Sequence, residues 1–159
     1  MLARFALLVA MINGSNPPVT NLMPVLNSPL LSLHVAVIMG SYALFFFVML
    51  CGVAGLIGDG ESQRRLCLLL LYPAVFLLAL GIIIGAVWAN ISWGSYWTWD
   101  PKEVWALITL IVYAIPLHHT LAVSRNPRAF YLYCTLAFLS VIVTYFGVNL
   151  LLGGMHAYN

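Results

Sequence analysis

The sequence predicts an all-α integral membrane protein, and three observations lead to that fold class. Charge is scarce, with six Lys or Arg and four Asp or Glu among 159 residues, whereas 64% of the residues are hydrophobic. The apolar residues form four long runs, and most of the basic residues lie between them. A soluble domain carries about a quarter charged residues, and a disordered chain combines low hydrophobicity with high charge. The net charge of +2 is also too small and too scattered for nucleic-acid binding.

Four segments are long enough to cross a membrane, which requires about 20 mostly apolar residues in a helix. We name them helices A to D and predict them over residues 30–57, 66–89, 104–123 and 129–152. An earlier apolar run at 5–12 is too short to span alone, so 1–29 is expected to hold a partial N-terminal segment and an outer loop. The alternation typical of a membrane β-barrel is absent from the sequence. The whole chain, 1–159, is therefore predicted to form one helical membrane domain.

The basic residues between these helices predict the orientation of the chain. Arg64 and Arg65 lie between helices A and B, and Arg125 and Arg128 lie between helices C and D. Residues 13–29 carry no charge at all. Because Lys and Arg concentrate in cytoplasmic loops, we expect the two Arg-containing loops to face the cytoplasm. The loop between helices B and C and the C-terminus are then extracytoplasmic.

That extracytoplasmic loop, residues 90–103, is rich in tryptophan. All five tryptophans of the protein fall within residues 88–105. Tryptophan is common at membrane interfaces, but an aromatic belt would place it at both ends of the helices. Trp93 and Trp97 are four residues apart and would share one face of a short helix. The one-sided cluster favours a flat aromatic platform for a planar apolar ligand over a belt.

Two acidic residues at the end of this loop form the pattern of a helix start. Asp100 is followed by Pro101 and, three residues on, by Glu103. This is the spacing of a capping box, in which each carboxylate accepts a backbone hydrogen bond of the first turn. We therefore favour a structural role for both carboxylates. Lys102 between them suits either an anionic group of a ligand or the lipid headgroups.

The four histidines lie at two depths. His34, in the first turns of helix A, and His156, after helix D, fall on the side of the Trp-rich loop. Two imidazoles facing each other there would suit bis-histidine ligation of haem iron; the alternative is two independent interfacial histidines. His118 lies roughly 22 Å further towards the cytoplasm. Its neighbour His119 points about 100° away around the helix, so both cannot face one site.

The three cysteines suggest no thiol chemistry. Cys51, Cys67 and Cys134 are isolated in or beside apolar runs, without a CxxC or CxxCH pair. We interpret them as small buried hydrophobic residues. The chain is therefore not predicted to be a thiol oxidoreductase or itself a c-type cytochrome.

The Trp-rich segment resembles a known family. Trp93-Gly-Ser-Tyr-Trp-Thr-Trp-Asp-Pro-Lys-Glu103, followed by Trp105-Ala-Leu-Ile-Thr, is similar to the WWD motif of haem-handling proteins, in the form found in the CcsA (ResC) family of system II cytochrome c biogenesis. Two flanking stretches agree with this resemblance, Ser28-Pro-Leu-Leu-Ser-Leu-His34 and Gly147-Val-Asn-Leu-Leu-Leu-Gly-Gly-Met-His156. The chain resembles the C-terminal portion of that family.

The resemblance implies a function and roles for individual residues. It implies transient, non-covalent binding of haem b, its export across the membrane and its presentation to the CxxCH cysteines of apocytochrome c, as a subunit of a holocytochrome c synthase. His34 and His156 match the extracytoplasmic axial ligands, and His118 matches a transmembrane histidine that ligates haem iron on its path. The residues that the WWD motif places at the haem are Trp93, Trp97, Trp99 and Asp100.

The resemblance also implies partners and a location. A CcsB (ResB)-like membrane protein, fused or separate, would supply the second inner ligand, and thiol-reducing proteins would keep the cysteines of apocytochrome c reduced. The membrane would be the bacterial cytoplasmic membrane or the plastid thylakoid. Three alternatives remain: a haem chaperone subunit of the system I type, a proton-relaying transporter or channel subunit, and a purely structural membrane subunit. A proton relay needs ionisable groups along the interior of the bundle. It is disfavoured because the predicted helices A, B and D contain no His, Asp, Glu, Lys or Arg except His34.

Overall fold

The computed structural model describes residues 28–58, 61–118 and 120–148. Three of the sequence predictions lie outside these residues: the short N-terminal segment, the second outer histidine His156, and the end of helix D. His119 lies outside them as well.

The described chain is helical throughout. Within residues 28–58, 61–118 and 120–148 there is no β-strand. Its α-helices, numbered α1 to α5, are Pro29–Ile57, Glu61–Trp93, Pro101–Ala114, Ala122–Arg125 and Pro127–Ile142. A 3-10 turn, Ile115–Leu117, continues α3, and a π-helical turn, Val143–Gly147, continues α5.

Three of these helices are membrane helices by length and composition. The apolar stretches are Pro29–Ile57, Gln63–Trp93 and Pro127–Gly147, with 29, 31 and 21 residues. At 1.5 Å per residue, 21 residues extend about 31 Å, which matches the hydrocarbon thickness of a bilayer. The predicted all-α class with membrane helices is therefore confirmed.

The third helix differs from the predicted span of 104–123. It begins at Pro101, where the Asp100 cap starts it, and α-helical geometry ends at Ala114. The cause is Pro116, which has no N–H to donate and whose ring disfavours the preceding helical turn. The chain therefore tightens into the turn Ile115–Leu117 and leaves the helix at His118. His118 is exposed and lies in the connection to α4, not inside a spanning helix.

The four longer helices run alternately up and down. We call the end of the bundle with residues 94–100 the loop end, and the end with Arg64 the arginine end. At the loop end, Gly81 of α2 accepts a hydrogen bond from His34 near the start of α1. At the arginine end, the Arg64 guanidinium donates to the carbonyl of Ser124 and lies 5.3 Å from the ring centroid of Phe130.

The core lies where α1, α2, α3 and α5 meet. Phe45 of α1 stacks on Tyr113 of α3 with 3.7 Å between ring centroids. Cys67 and Cys134 are completely buried beside this stack and form no disulfide. Ser41 donates a hydrogen bond of 2.8 Å to the carbonyl of Ala74, which satisfies the hydroxyl of a buried side chain. Further core residues are Val48, Leu71, Leu78, Phe130, Tyr131 and Val141.

Small residues on α1 allow its close approach to α5. A Cβ at Gly52 would lie 2.7 Å from Oγ1 of Thr135 and 2.9 Å from the carbonyl oxygen of Tyr131. A Cβ at Gly55 would lie 2.5 Å from the Tyr131 ring. Van der Waals packing of this kind drives helix association where lipid removes the hydrophobic effect between helices.

Candidate functional site

A cavity of about 210 Å³ lies at the loop end, between α1, α2, α3 and the π-helical turn. One imidazole, several aromatic rings and two charged side chains converge on it. Its lining includes His34, Tyr42, Trp88, Tyr96, Trp97, Lys102, Glu103, Thr144 and Tyr145. The sequence predicts His34 and Trp97 as site residues, and the structure brings them to the same cavity.

The imidazole of His34 has a fixed orientation. Its Nδ1 lies 2.8 Å from the carbonyl oxygen of Gly81. Because a carbonyl can only accept, Nδ1 is the donor, and whenever the ring is neutral its lone pair lies on Nε2. A histidine that ligates a metal commonly donates its other ring N–H to a backbone carbonyl in this way. His34 therefore has the tautomer that metal ligation through Nε2 requires.

The tryptophans divide between the cavity and the surface. Trp88, which is buried, and Trp97 line the cavity, whereas Trp93 and Trp99 are not among its lining residues and are 39% and 74% exposed. Trp97 and Trp99 meet edge to face at 89° and 6.0 Å, and Trp88 and Trp93 at 80° and 5.0 Å. The aromatic surface is thus built from perpendicular pairs. The joint role of Trp93, Trp97 and Trp99 at a haem stays a prediction.

The loop that carries these rings begins with a glycine in the left-handed region. The N–H of Gly94 donates to the carbonyl of Asn90 at 2.9 Å and ends α2, with φ of +75°. Glycine adopts this conformation without the steric cost of a Cβ. The turn directs residues 95–100 back across the end of the bundle, which brings Tyr96 and Trp97 to the cavity.

The predicted capping box at the start of α3 is confirmed. The Asp100 carboxylate accepts from the N–H of Lys102 at 3.0 Å, and Glu103 accepts from the N–H of Asp100 at 3.2 Å. Asp100 is buried and is not among the lining residues of the cavity. Its carboxylate therefore acts in the described structure as a helix cap, and its role at a haem stays a prediction.

Lys102 supplies positive charge to the cavity. Burial lowers the pKa of Lys102 from its ordinary value, and the carboxylate of Asp100 opposes this shift. An ammonium group beside aromatic rings can form charge-assisted hydrogen bonds to a carboxylate of a ligand. The sequence allows Lys102 to meet either an anionic group of a ligand or the lipid headgroups. Its position at the cavity supports the first of these roles.

His118 does not reach this cavity. The 14 residues of α3, about 21 Å at 1.5 Å per residue, lie between the Lys102 end and the turn that precedes His118. In the part of the chain that the structure describes, no group of three or more His, Cys, Asp or Glu is placed to hold a metal ion. The predicted partner of His34, His156, lies outside the described residues.

Several residues of the site are not predicted from the sequence. Gly85 of α2 faces His34 and Gly81 faces Ile38, and their spacing, G-x-x-x-G in an apolar helix, is a recognisable signal for close helix approach. Thr144, in the π-helical turn, lines the cavity and shares a hydrogen bond of 2.9 Å with Thr109. A π-helical turn re-aims the side chains beyond it and often marks a functional site, but it has no sequence signal of its own here.

The fold and this cavity define an all-helical membrane protein with an oriented imidazole and aromatic walls at one end of its bundle. Residues 1–156 match the family described as cytochrome C assembly protein, and the chain belongs to that family. Together with the CcsA relatives described next, this match confirms the resemblance to CcsA proteins that the Trp-rich segment predicts.

Individual relatives agree with this assignment. The chain is 37% identical over 174 residues to the protein NrfI of Wolinella succinogenes, which covers 99% of this chain and 19% of NrfI. It is 38% identical over 176 residues to the cytochrome c biogenesis protein CcsA of Mesostigma viride, with 87% and 58% covered. Over 81 residues it is 52% identical to CcsA of Atropa belladonna, with 51% and 26% covered. The chain thus spans less than two thirds of the length of these curated relatives.

Proposed function

We propose that this chain acts in cytochrome c biogenesis by binding haem b at the loop end of its bundle and presenting it to apocytochrome c. The observation that carries the proposal is the hydrogen bond of 2.8 Å between Nδ1 of His34 and the Gly81 carbonyl. This hydrogen bond orients His34 in a cavity lined by aromatic rings, where its Nε2 would hold the haem iron. The names of the CcsA relatives support the pathway, because they describe cytochrome c biogenesis proteins.

The described residues fit a haem. An imidazole with Nε2 as the ligating atom, apolar and aromatic walls, and a lysine for a propionate are the groups that a haem site uses. A Cβ at Gly85 would lie 2.6 Å from Cε1 of His34, so the missing side chain leaves the space that the ring fills. The cavity of about 210 Å³ is smaller than the roughly 300–1,000 Å³ of most ligand pockets. It would enclose part of the macrocycle and leave an edge outside.

That outer edge matters for the chemistry. When bound, haem supplies vinyl groups that form thioether bonds with the two thiols of CxxCH. The chain's contribution is positioning: His34 orients the ligand, Trp88 and Trp97 pack against it, and Lys102 meets an anionic group. Orientation of this kind lowers the barrier by removing the entropy of bringing the groups together. The chain would thus be a subunit of a holocytochrome c synthase.

The remaining roles belong to the same proposal. His156 is the second outer ligand, with Trp93, Trp99 and Asp100 supporting the haem, and His118 is an inner ligand near the arginine end. A CcsB-like membrane partner completes the inner site, and thiol-reducing proteins keep apocytochrome c reduced. With a fourth membrane segment that begins at Val104 of α3, the loop end, including Lys102, is extracytoplasmic, in a bacterial cytoplasmic membrane or a plastid thylakoid.

The test is an absorption spectrum of the protein purified with any partner that accompanies it. We expect the Soret band of a b-type haem. The absorbance that comes from haem bound at the loop end, its loop-end portion, should be lost in His34→Ala and restored by added imidazole. His118→Ala is the matched control, because it removes the same side chain from the opposite end and should leave the loop-end portion intact. A colourless but folded preparation under haem supply, or identical spectra for the two variants, would overturn the proposal.

A further inference from the structure

We propose that Gly81 and Gly85 of α2 are positioning residues that hold the His34 imidazole in its ligating orientation. This inference rests on the proposed function, because it concerns how His34 is prepared to bind haem iron. Gly81 contributes its carbonyl, and Gly85 contributes the absence of a side chain. Neither residue touches the iron in this proposal, so both act through His34.

The contacts at Gly85 are to the imidazole itself. For a Cβ built on Gly85, the three nearest atoms are Cε1, Nδ1 and Nε2 of His34, at 2.6, 2.7 and 3.4 Å. Side-chain carbon atoms essentially do not approach other atoms within 3.0 Å. The imidazole therefore packs directly onto the α2 backbone, in a space that only glycine leaves open.

The two glycines act as a pair because of the helix register. A Cβ at Gly81 would lie 2.5 Å from Cδ1 of Ile38, one turn along α1 from His34. Residues four apart on α1 thus meet residues four apart on the antiparallel α2, with Ile38 against Gly81 and His34 against Gly85. The close approach at Gly81 brings the α2 backbone near enough for its carbonyl to accept the hydrogen bond of 2.8 Å from Nδ1.

This arrangement has a chemical consequence. A hydrogen bond from Nδ1–H fixes the tautomer and raises the basicity of Nε2 as a ligand. Because the acceptor is a backbone carbonyl, it does not titrate, unlike the carboxylate that serves many metal-bound histidines. The ring is also confined by packing, so it does not have to be ordered when haem binds.

The first experiment compares Gly85→Ala with Gly40→Ala in the haem-loaded protein. A Cβ at Gly40 meets nothing within 4 Å, so this variant adds the same methyl group to a neighbouring helix without a clash. At Gly85 the added methyl group meets the movable end of the His34 side chain, so we expect the ring to shift while the helix stays folded. We expect haem to be retained about 10- to 100-fold less tightly in Gly85→Ala, with an altered Soret band, and unchanged in Gly40→Ala.

A second experiment does not depend on how well Gly85→Ala folds. In His34→Gly, added imidazole can enter the vacated space, ligate through one nitrogen and donate to the Gly81 carbonyl through the other. Added 1-methylimidazole can ligate but has no N–H to donate. We expect imidazole to restore the Soret band at about tenfold lower concentration than 1-methylimidazole.

The outcomes separate this inference from the proposed function. If His34→Ala leaves the loop-end spectrum unchanged, the proposed ligand is wrong and the inference falls with it. If His34→Ala removes that spectrum but Gly85→Ala behaves like Gly40→Ala, or both imidazoles rescue equally, the positioning role alone is overturned. A purely structural role for Gly85 would lower the unfolding temperature of the haem-free protein without changing the spectrum of the folded fraction.

Discussion

The carboxylate of Glu103 accepts a hydrogen bond of 2.8 Å from the backbone N–H of Thr98, five residues earlier in the chain. The same oxygen accepts from the N–H of Asp100 at 3.2 Å. Trp99 lies between these two donors with φ of +59°, in the left-handed region that side chains with a Cβ disfavour. Glu103 therefore does more than cap a helix, because it holds the residue at the tip of the loop in a strained conformation.

The hydrogen bonds from the Thr98 and Asp100 N–H groups need both the charge and the shape of the Glu103 side chain. We expect Glu103→Gln to lower the free energy of unfolding by about 1.5–3 kcal/mol, since the bonds it weakens are accepted by a charged group. The measurement is the thermal transition followed by tryptophan emission, which reports this region because every tryptophan lies within residues 88–105.

Thr98→Val is the graded control for that experiment. It removes the hydroxyl, whose contacts to Glu103 are 3.3 Å long, but keeps the backbone N–H. Contacts of that length are weak for hydroxyl donors. The loss of unfolding free energy in Thr98→Val should therefore be clearly smaller than in Glu103→Gln. A transition in Glu103→Gln as high as in the unaltered protein would contradict the clamping role.

The strain at Trp99 can be measured by comparing two truncations. Both Trp99→Gly and Trp99→Ala remove a ring that is 74% exposed, so both lose similar packing. Glycine adopts the left-handed region freely, whereas alanine retains a penalty of about 1–2 kcal/mol. We expect the Gly variant to unfold at a higher temperature than the Ala variant, and an equal or reversed order would show that Trp99 is not strained.

The sequence predicts the start of α3 well and its end poorly, for a physical reason. The cap depends on three neighbouring residues, Asp100, Pro101 and Glu103, whose chemistry is local. The C-terminal end of α3 depends on the effect of Pro116, because a proline can either kink a helix or end it. Here the chain takes a 3-10 turn, which moves His118 out of the predicted helix.

The site shows the same division between local and non-local signals. His34 and Trp97 are predicted from residue type, from the predicted side of the membrane, and from the resemblance of the segments that carry them to the CcsA family. The hydrogen bond from His34 to Gly81 joins residues 47 positions apart, and nothing in either local sequence predicts it. Thr144 of the π-helical turn likewise shares a hydrogen bond with Thr109 of α3, 35 positions earlier in the chain.

The contact between α1 and α5 near the arginine end should be intolerant of added volume. A Cβ at Gly52 would meet the carbonyl oxygen of Tyr131 at 2.9 Å, and backbone atoms cannot rotate away as a side chain can. We expect Gly52→Ala to lower the free energy of unfolding by about 1–3 kcal/mol, the usual cost of overpacking.

Gly40→Ala provides the reference, measured by the same thermal transition in detergent. Its Cβ points into open space, and replacing glycine by alanine inside a helix stabilises it by about 0.5–1 kcal/mol. The two substitutions should therefore shift the transition in opposite directions. Destabilisation of equal size would indicate that the glycines are needed for some property other than close packing.

The charge of Lys102 should make haem binding depend on pH. Burial lowers the pKa of Lys102 from its ordinary value of 10.5, so the ammonium group in the folded protein loses its proton at a lower pH than a solvated lysine does. We expect haem affinity to fall as the pH rises through this lowered pKa. Lys102→Arg, which stays charged at that pH, should remove the fall, and Lys102→Met should bind about tenfold more weakly already at pH 7.

The stability of the haem-free protein should change in the opposite direction over the same pH range. Between the lowered pKa of the folded state and 10.5, the unfolded chain binds the proton of Lys102 and the folded chain does not. Stability rises with pH wherever the unfolded state binds more protons, so the unfolding free energy should increase there while haem affinity decreases. Haem titrations and thermal transitions measured across this range distinguish loss of a ligand contact from loss of the fold. Equal affinity of Lys102→Met and the unaltered protein at pH 7 would remove Lys102 from the binding site.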